Sequence, residues 1–92
     1  MRIWKWPIQI TDRQTVMMPA GAQVLTVQTQ GGQPQLWALV DEMQDAPKTP
    51  RKFAVYGTGN SLPENPGRYI TTFQQYGGDL VWHVFELHQS ST

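Results

Sequence analysis

Along most of the chain, apolar residues recur at every second position, the period of a β-strand with one face buried. Val24-Leu25-Thr26-Val27-Gln28-Thr29-Gln30 predicts a strand with Leu25 and Val27 on one face and Thr26 and Gln28 on the other. Residues 35–41 predict the next, with Trp37 and Leu39 facing one way and Leu36, Ala38 and Val40 the other. Both of its faces are apolar, so it reads as a central strand covered on both sides. Gly31-Gly32-Gln33-Pro34 between the two makes this the clearest hairpin of the sequence.

The polar stretch 45–50 carries two prolines and reads as a loop, because proline interrupts a central strand. Residues 52–56 predict a short strand with Phe53 and Val55 opposed to Ala54 and Tyr56, ended by Gly57-Thr58-Gly59-Asn60. A loop with Pro63, Asn65, Pro66 and Gly67 follows, to about Arg68. Residues 69–75 are β-branched and aromatic, hence strand. Gly77-Gly78-Asp79 turns the chain into a last strand over 80–87, with Leu80, Trp82 and Val84 on one face and Val81, His83, Phe85 and Leu87 on the other. At the front, residues 2–10 form a strand interrupted by Pro7, which suits an edge or a bulge. Residues 14–18 form another, closed by Pro19-Ala20-Gly21. The outcome is an all-β fold of about seven short antiparallel strands in a small sandwich or barrel, with turn signals at roughly 10-residue spacing. Little or no helix is expected; residues 39–44 are the only place for a helical turn. The expected organisation is a single β domain over 1–88 and a disordered tail over 89–92.

Composition sharpens this. A chain of 92 residues makes one domain with a thin stability margin. It has no cysteine, so disulfides, thiolate metal sites and a Cys nucleophile are excluded. Four Trp, three Tyr and three Phe supply the apolar mass instead. Seven basic and seven acidic residues give a formal net charge of zero. That balance argues against a duplex-DNA binder, which needs a basic footprint. It also removes repulsion between copies, so a homo-oligomer is expected. Lys48, Arg51 and Lys52 read as a solvated turn. No apolar run is long enough to span a membrane, and the opening residues do not form a signal peptide.

Candidate chemistry is sparse. His83 lies in an apolar strand and reads as a half-buried histidine with one hydrogen bond; His88 is near the tail. His83 and Glu86, three apart on a strand, point to opposite faces and do not chelate one ion. No metal site and no cofactor are expected, and no nucleophile, base and orienter can be named together, so the reading is a binding protein and not an enzyme. Gly57-Thr58-Gly59-Asn60 resembles part of a phosphate-binding glycine loop, without the Lys-Ser/Thr and helix that complete one. Its plainer reading is a strand-ending turn that needs positive φ at Gly57 or Gly59. Trp4 and Trp6 share a face of the first strand and mark either core or an interface.

The words Ile3-Trp4-Lys5-Trp6-Pro7, Leu36-Trp37-Ala38-Leu39-Val40-Asp41, Gly57-Thr58-Gly59-Asn60 and Gly77-Gly78-Asp79-Leu80-Val81-Trp82-His83-Val84-Phe85-Glu86 resemble a family of small bacteriophage and prophage proteins of uncharacterised function. In that family the fourth residue of the glycine turn is commonly His, where Asn60 stands here. The resemblance implies a protein of the cytoplasm of an infected or lysogenic bacterial host. By analogy with small phage counter-defence proteins it suggests a sponge that sequesters nucleotide second messengers. The expected ligand contacts are Tyr56, Gly57, Thr58, Gly59 and Asn60, with Trp82 and His83 lining the same pocket and Arg51 or Arg68 supplying charge. The alternative is a protein-binding module, a phage structural accessory or an inhibitor of a host protein, with Trp4 and Trp6 at the interface.

Overall fold

A computed structural model of the chain describes residues 1–41 and 47–88. Seven strands follow in order: β1 (Arg2–Pro7), β2 (Gln14–Pro19), β3 (Gln23–Gln30), β4 (Gln33–Val40), β5 (Lys48–Gly57), β6 (Arg68–Gln75) and β7 (Leu80–Glu86). One 3-10 turn, Tyr76–Gly78, joins β6 to β7. The strands form two antiparallel sheets, β1-β4-β3 and β2-β5-β7-β6, packed as a small sandwich. No helix among the described residues is long and apolar enough to cross a membrane. The helical turn anticipated over 39–44 begins as strand, since Leu39 and Val40 pair in β4; residues 42–46 and the tail 89–92 lie outside the described residues.

The β3–β4 hairpin forms as the sequence predicts, with Gln30 opposite Gln33 and only Gly31 and Gly32 between them. Both glycines have positive φ, +59° and +82°, the signature of a type I′ hairpin turn. The core lies between the sheets. Leu36, Ala38 and Val40 of β4 meet Phe53 and Val55 of β5, Phe73 of β6 and Val84 of β7. At about 1.5–3 kcal/mol per fully buried large side chain, these residues supply the main driving force. Along one side the sheets meet through side chains: Thr26 Oγ1 donates to Thr71 Oγ1 at 3.2 Å, and Gln28 Nε2 donates to the same oxygen at 3.1 Å.

Three expectations are corrected. Leu25 and Val27 do not share a face: β3 carries a bulge between Val24 and Thr26, so Val24 and Val27 both turn inward while Leu25 is left exposed. β4 is central but covered on one side only. Trp37 and Leu39 face outward and are half-buried, beside an exposed Ile3. β5 is ten residues long and runs straight through Pro50, which the sequence assigned to a loop. Proline is tolerated there because this half of β5 pairs with β2 alone; β7 lies alongside only from Phe53 onward.

β1 and β2 each pair with a single neighbour, so both are edge strands, and Pro7 ends β1 as expected of a proline on an edge. β5 and β6 both run antiparallel to β7, which lies between them; they are therefore parallel to each other. Residues 58–67 must carry the chain back along the length of β7, and they do so across the outer face of the four-stranded sheet. This crossover is what creates the candidate site.

Candidate functional site

Alternation along β5 and β7 sends Ala54, Tyr56, His83 and Phe85 to the outer face, away from the core. The register sets them in two rows. Tyr56, His83 and Thr72 lie side by side across β5, β7 and β6; Ala54, Phe85 and Tyr69 form the next row. Tyr56 and Tyr69 flank Phe85 edge-on, with ring centroids 6.0 and 5.6 Å away, the preferred geometry for aromatic pairs. Leu62 of the crossover lines the same space as these rings while staying half exposed. The result is a cavity of about 260 Å³ bounded by Tyr56, the glycine turn, Leu62, Tyr69, His83 and Phe85.

A chain of hydrogen bonds crosses the floor of this cavity. The Tyr69 hydroxyl bonds Thr72 Oγ1 at 2.6 Å, Thr72 Oγ1 bonds His83 Nδ1 at 2.9 Å, and His83 Nε2 bonds Thr58 Oγ1 at 2.7 Å. Thr58 Oγ1 also lies 3.4 Å from the Val81 carbonyl oxygen. Every member but the imidazole is a hydroxyl, which both donates and accepts, and a neutral imidazole donates from one nitrogen and accepts at the other. When Thr58 donates to the Val81 carbonyl it accepts from His83 Nε2, and the chain runs from Tyr69 through Thr72 and His83 to Thr58; without that long bond it can run the other way. His83 thus makes two hydrogen bonds where the sequence anticipated one.

The Thr58–His83 pair also has the distance of a hydroxyl nucleophile and its base. Sequence reasoning named no such pair, because the two residues are 25 apart. The third position differs from a hydrolytic triad: His83 Nδ1 meets the hydroxyl of Thr72, with no carboxylate to stabilise an imidazolium.

The glycine turn is a compact reverse turn. The Asn60 amide donates to the Gly57 carbonyl at 3.1 Å and the Thr58 amide donates to the Val81 carbonyl at 3.1 Å. Of the two glycines, Gly59 is the one that needs positive φ, at +90°. Gly57 serves another purpose: a Cβ there would lie 3.1 Å from both the Trp82 ring and the Asn60 side-chain amide. Two of the turn's N–H groups are thus already engaged, and a nest for a phosphate needs such groups free.

Of the residues the sequence singled out, Tyr56, Gly57, Thr58, Gly59, Asn60 and His83 converge on this one cavity. The structure does not bring Arg51 or Arg68 to it, and Trp82 lines a neighbouring depression with Gly57, Thr58 and Asn60 instead. Trp82 is on the inner face, beneath Gly57, where its indole N–H donates to Gln75 Oε1 at 2.9 Å. Arg51 and Arg68 lie at the opposite end of the sandwich, both bonded to Glu86. Arg51 Nη2 donates to Glu86 Oε1 at 3.0 Å, and Nη1 donates to the Ala22 carbonyl at 2.8 Å. The hydrogen bond to Glu86 raises the Arg51 pKa above its ordinary value; burial opposes this and the attraction of the carboxylate adds to it. Glu86 and His83 do point to opposite faces, as their spacing requires. Trp4 and Trp6 sit 6.3 Å apart on the inner side of edge strand β1, Trp4 exposed and Trp6 packed against the core.

Sequence reasoning missed Tyr69, Thr72, Phe85 and Leu62. Tyr69 and Thr72 are three residues apart and would face opposite ways on a regular strand. A bulge between Tyr69 and Thr71 turns both outward.

The model of one family, described as Domain of unknown function (DUF7352), matches residues 1–92. The chain belongs to this family. The match spans both sheets, the crossover and the cavity beneath it, so the whole arrangement falls within one family domain. No curated protein and no solved structure matches the chain. Among the described residues, no three His, Asp or Glu side chains gather where they could hold a metal ion.

Proposed function

We propose that the domain binds a small ring-bearing molecule in the cavity between the crossover and the outer face of the four-stranded sheet. The observation that carries this reading is the Tyr69–Thr72–His83–Thr58 chain lying across an aromatic floor. An apolar recess with a few convergent polar groups is the usual anatomy of a ligand site. The aromatic rings accept a planar ring, and the hydroxyls read its hydrogen-bonding edge.

A nucleobase or nucleoside meets these requirements best. A nucleotide second messenger, the ligand of a phage counter-defence sponge, would place its base here. Its phosphates would find two N–H groups of the glycine turn already engaged and both Arg51 and Arg68 at the far end. The site therefore favours a neutral ligand portion. It supports sequestration over turnover, since His83 has no carboxylate behind it.

A thermal-shift screen against nucleobases, nucleosides and mono- and cyclic nucleotides tests this. A ligand present at a hundred times its Kd stabilises the fold by about 2.7 kcal/mol. The shift should vanish in Tyr69→Ala, whose side chain is exposed, and weaken at least tenfold in affinity in His83→Phe. A flat response across the panel overturns the reading.

One observation favours a second reading. Among the described residues β1 pairs on one side only, and it carries an exposed Trp4, the arrangement that invites strand addition by another chain. The other chain would be a second copy, a phage structural partner or a host protein. For the second copy, light scattering at micromolar concentration is expected to give a mass above the 10.5 kDa of one chain, falling back to that value in Trp4→Ala. A monomeric mass for the unaltered protein removes the homo-oligomer.

A further inference from the structure

The zero net charge of the chain conceals a strong local imbalance. Where β7 ends, Leu87 continues one residue further along β5, its amide donating to the Lys52 carbonyl at 2.8 Å. Leu87 and His88 then form a thin wall with a depression on either side. The inner one, of about 430 Å³, is bounded by Thr49, Arg51, Arg68, Glu86 and the Ala20-Gly21 turn. The outer one is bounded by Arg13, Lys52 and Asn65, and runs into a shallower recess that shares Arg13 and Lys52. Four of the chain's seven Lys and Arg residues therefore surround one wall, with His88 upon it. Among the described residues, Glu86 is the only acidic residue lining any of the three depressions.

That carboxylate is already committed to two guanidinium groups. It bonds Arg51 through two contacts and Arg68 through one, at 3.2 Å. Neither the Arg13 guanidinium nor the Lys52 ammonium has an ion pair among the described residues, and both side chains are exposed. Arg68 is held by a single contact and is 61% exposed, so it can turn toward a ligand. Uncompensated cations gathered at a concave surface raise the local concentration of anions. Guanidinium groups suit the planar or tetrahedral oxygens of carboxylate and phosphate, and Asn65 adds an amide donor.

We infer that this end of the sandwich is a binding site for a small multiply charged oxyanion of the phosphate or polycarboxylate type. Arg13 and Lys52 make the primary contacts, and Asn65 and His88 complete the outer depression; Arg68, on the inner side of the wall, adds to the positive field. It is separate from the aromatic cavity, which shares none of these residues, and it does not depend on that cavity having a ligand.

The full 92-residue chain should be titrated with pyrophosphate and, separately, with citrate, followed by calorimetry at fixed low ionic strength. Saturable binding is expected for at least one of them, and the stronger of the two names the oxyanion class. The double variant Arg13→Gln/Lys52→Gln, altered only at exposed positions, should lose at least about tenfold in affinity, as expected for two charge-assisted contacts. Tyr69→Ala should leave the affinity unchanged, which separates this site from the aromatic one. No saturable binding to either anion, or an affinity equal in the double variant and the unaltered protein, overturns the inference.

Discussion

Gly67→Ala is expected to lower stability by about 3–5 kcal/mol, a large part of the ~5–15 kcal/mol that holds a typical domain together. Two independent effects combine. Gly67 has φ +98°, a conformation that costs a residue with a Cβ roughly 1–3 kcal/mol. The added carbon would also be driven into the Glu86 carbonyl group, with the carbonyl carbon and the Leu87 Cα each only 3.1 Å away. These are backbone atoms of the central strand of the sheet, so they cannot rotate aside as a side chain would. Forced overpacking of this kind costs about 1–3 kcal/mol. Gly67 is where the crossover lands on the end of β7, and so it also anchors the segment that roofs the aromatic cavity. Urea unfolding followed by Trp fluorescence measures the effect. Gly59→Ala is the control: its φ of +90° is equally unfavourable, but a Cβ there meets nothing within 4 Å. It should cost only about 1–3 kcal/mol. Equal losses in the two variants would show that close approach at Gly67 contributes nothing.

Glu86→Ala is the second large effect, at about 2–4 kcal/mol. The Glu86 side chain is 13% exposed and that of Arg51 16%, so the pair sits largely out of solvent at the mouth of the core. Removing the carboxylate leaves the Arg51 guanidinium with the Ala22 carbonyl as its remaining acceptor. An orphaned, poorly solvated charge is what makes breaking such a pair costly, up to about 3–5 kcal/mol for a fully buried one. Arg68, 61% exposed, loses little, since surface pairs contribute roughly 0–1 kcal/mol. The double substitution Arg51→Met/Glu86→Leu should recover most of the loss, because it removes both the charge and its need for a partner. A double-mutant cycle by chemical denaturation reads the coupling. A loss in Glu86→Ala below ~0.5 kcal/mol would mean that water reaches Arg51 freely.

The strands themselves were largely legible from the sequence because a period of two is a local property; the inward face was not legible where both faces are apolar, as in β4 and β7. A strand whose faces differ, as Phe53 and Val55 differ from Lys52, carries its own record of which side is apolar, and each turn carries its own glycines; Leu36-Trp37-Ala38-Leu39-Val40, apolar on both faces, does not. The glycine turn was legible as a turn for the same reason. The convergence of Tyr56, Gly57, Thr58, Gly59, Asn60 and His83 on one cavity was anticipated from neighbouring words on adjoining strands. Alternation failed at the two bulges, at Leu25 and Ile70. One inserted residue exchanges the faces of everything beyond it, and nothing in the local composition marks the insertion.

Interactions within a few residues therefore settle an all-β chain, its turns and most of its strands, but not which side of β3, β4 or β6 enters the core. The tertiary structure alone decided the rest. Pairing β5 and β6 on either side of β7 forced residues 58–67 across the outer face and so made a cavity. The same pairing set Thr58, Thr72 and Tyr69 around His83 from three separate segments. It also sent Arg51 and Arg68 to the opposite end from the glycine turn, although Arg51 is only six residues from Gly57, because a strand rising about 3.3 Å per residue carries them some 20 Å apart. Alternation further put Arg51 on the inner face with Glu86 and left Lys52 on the outer one. Proximity across strands depends on register, and register is settled by the whole sheet.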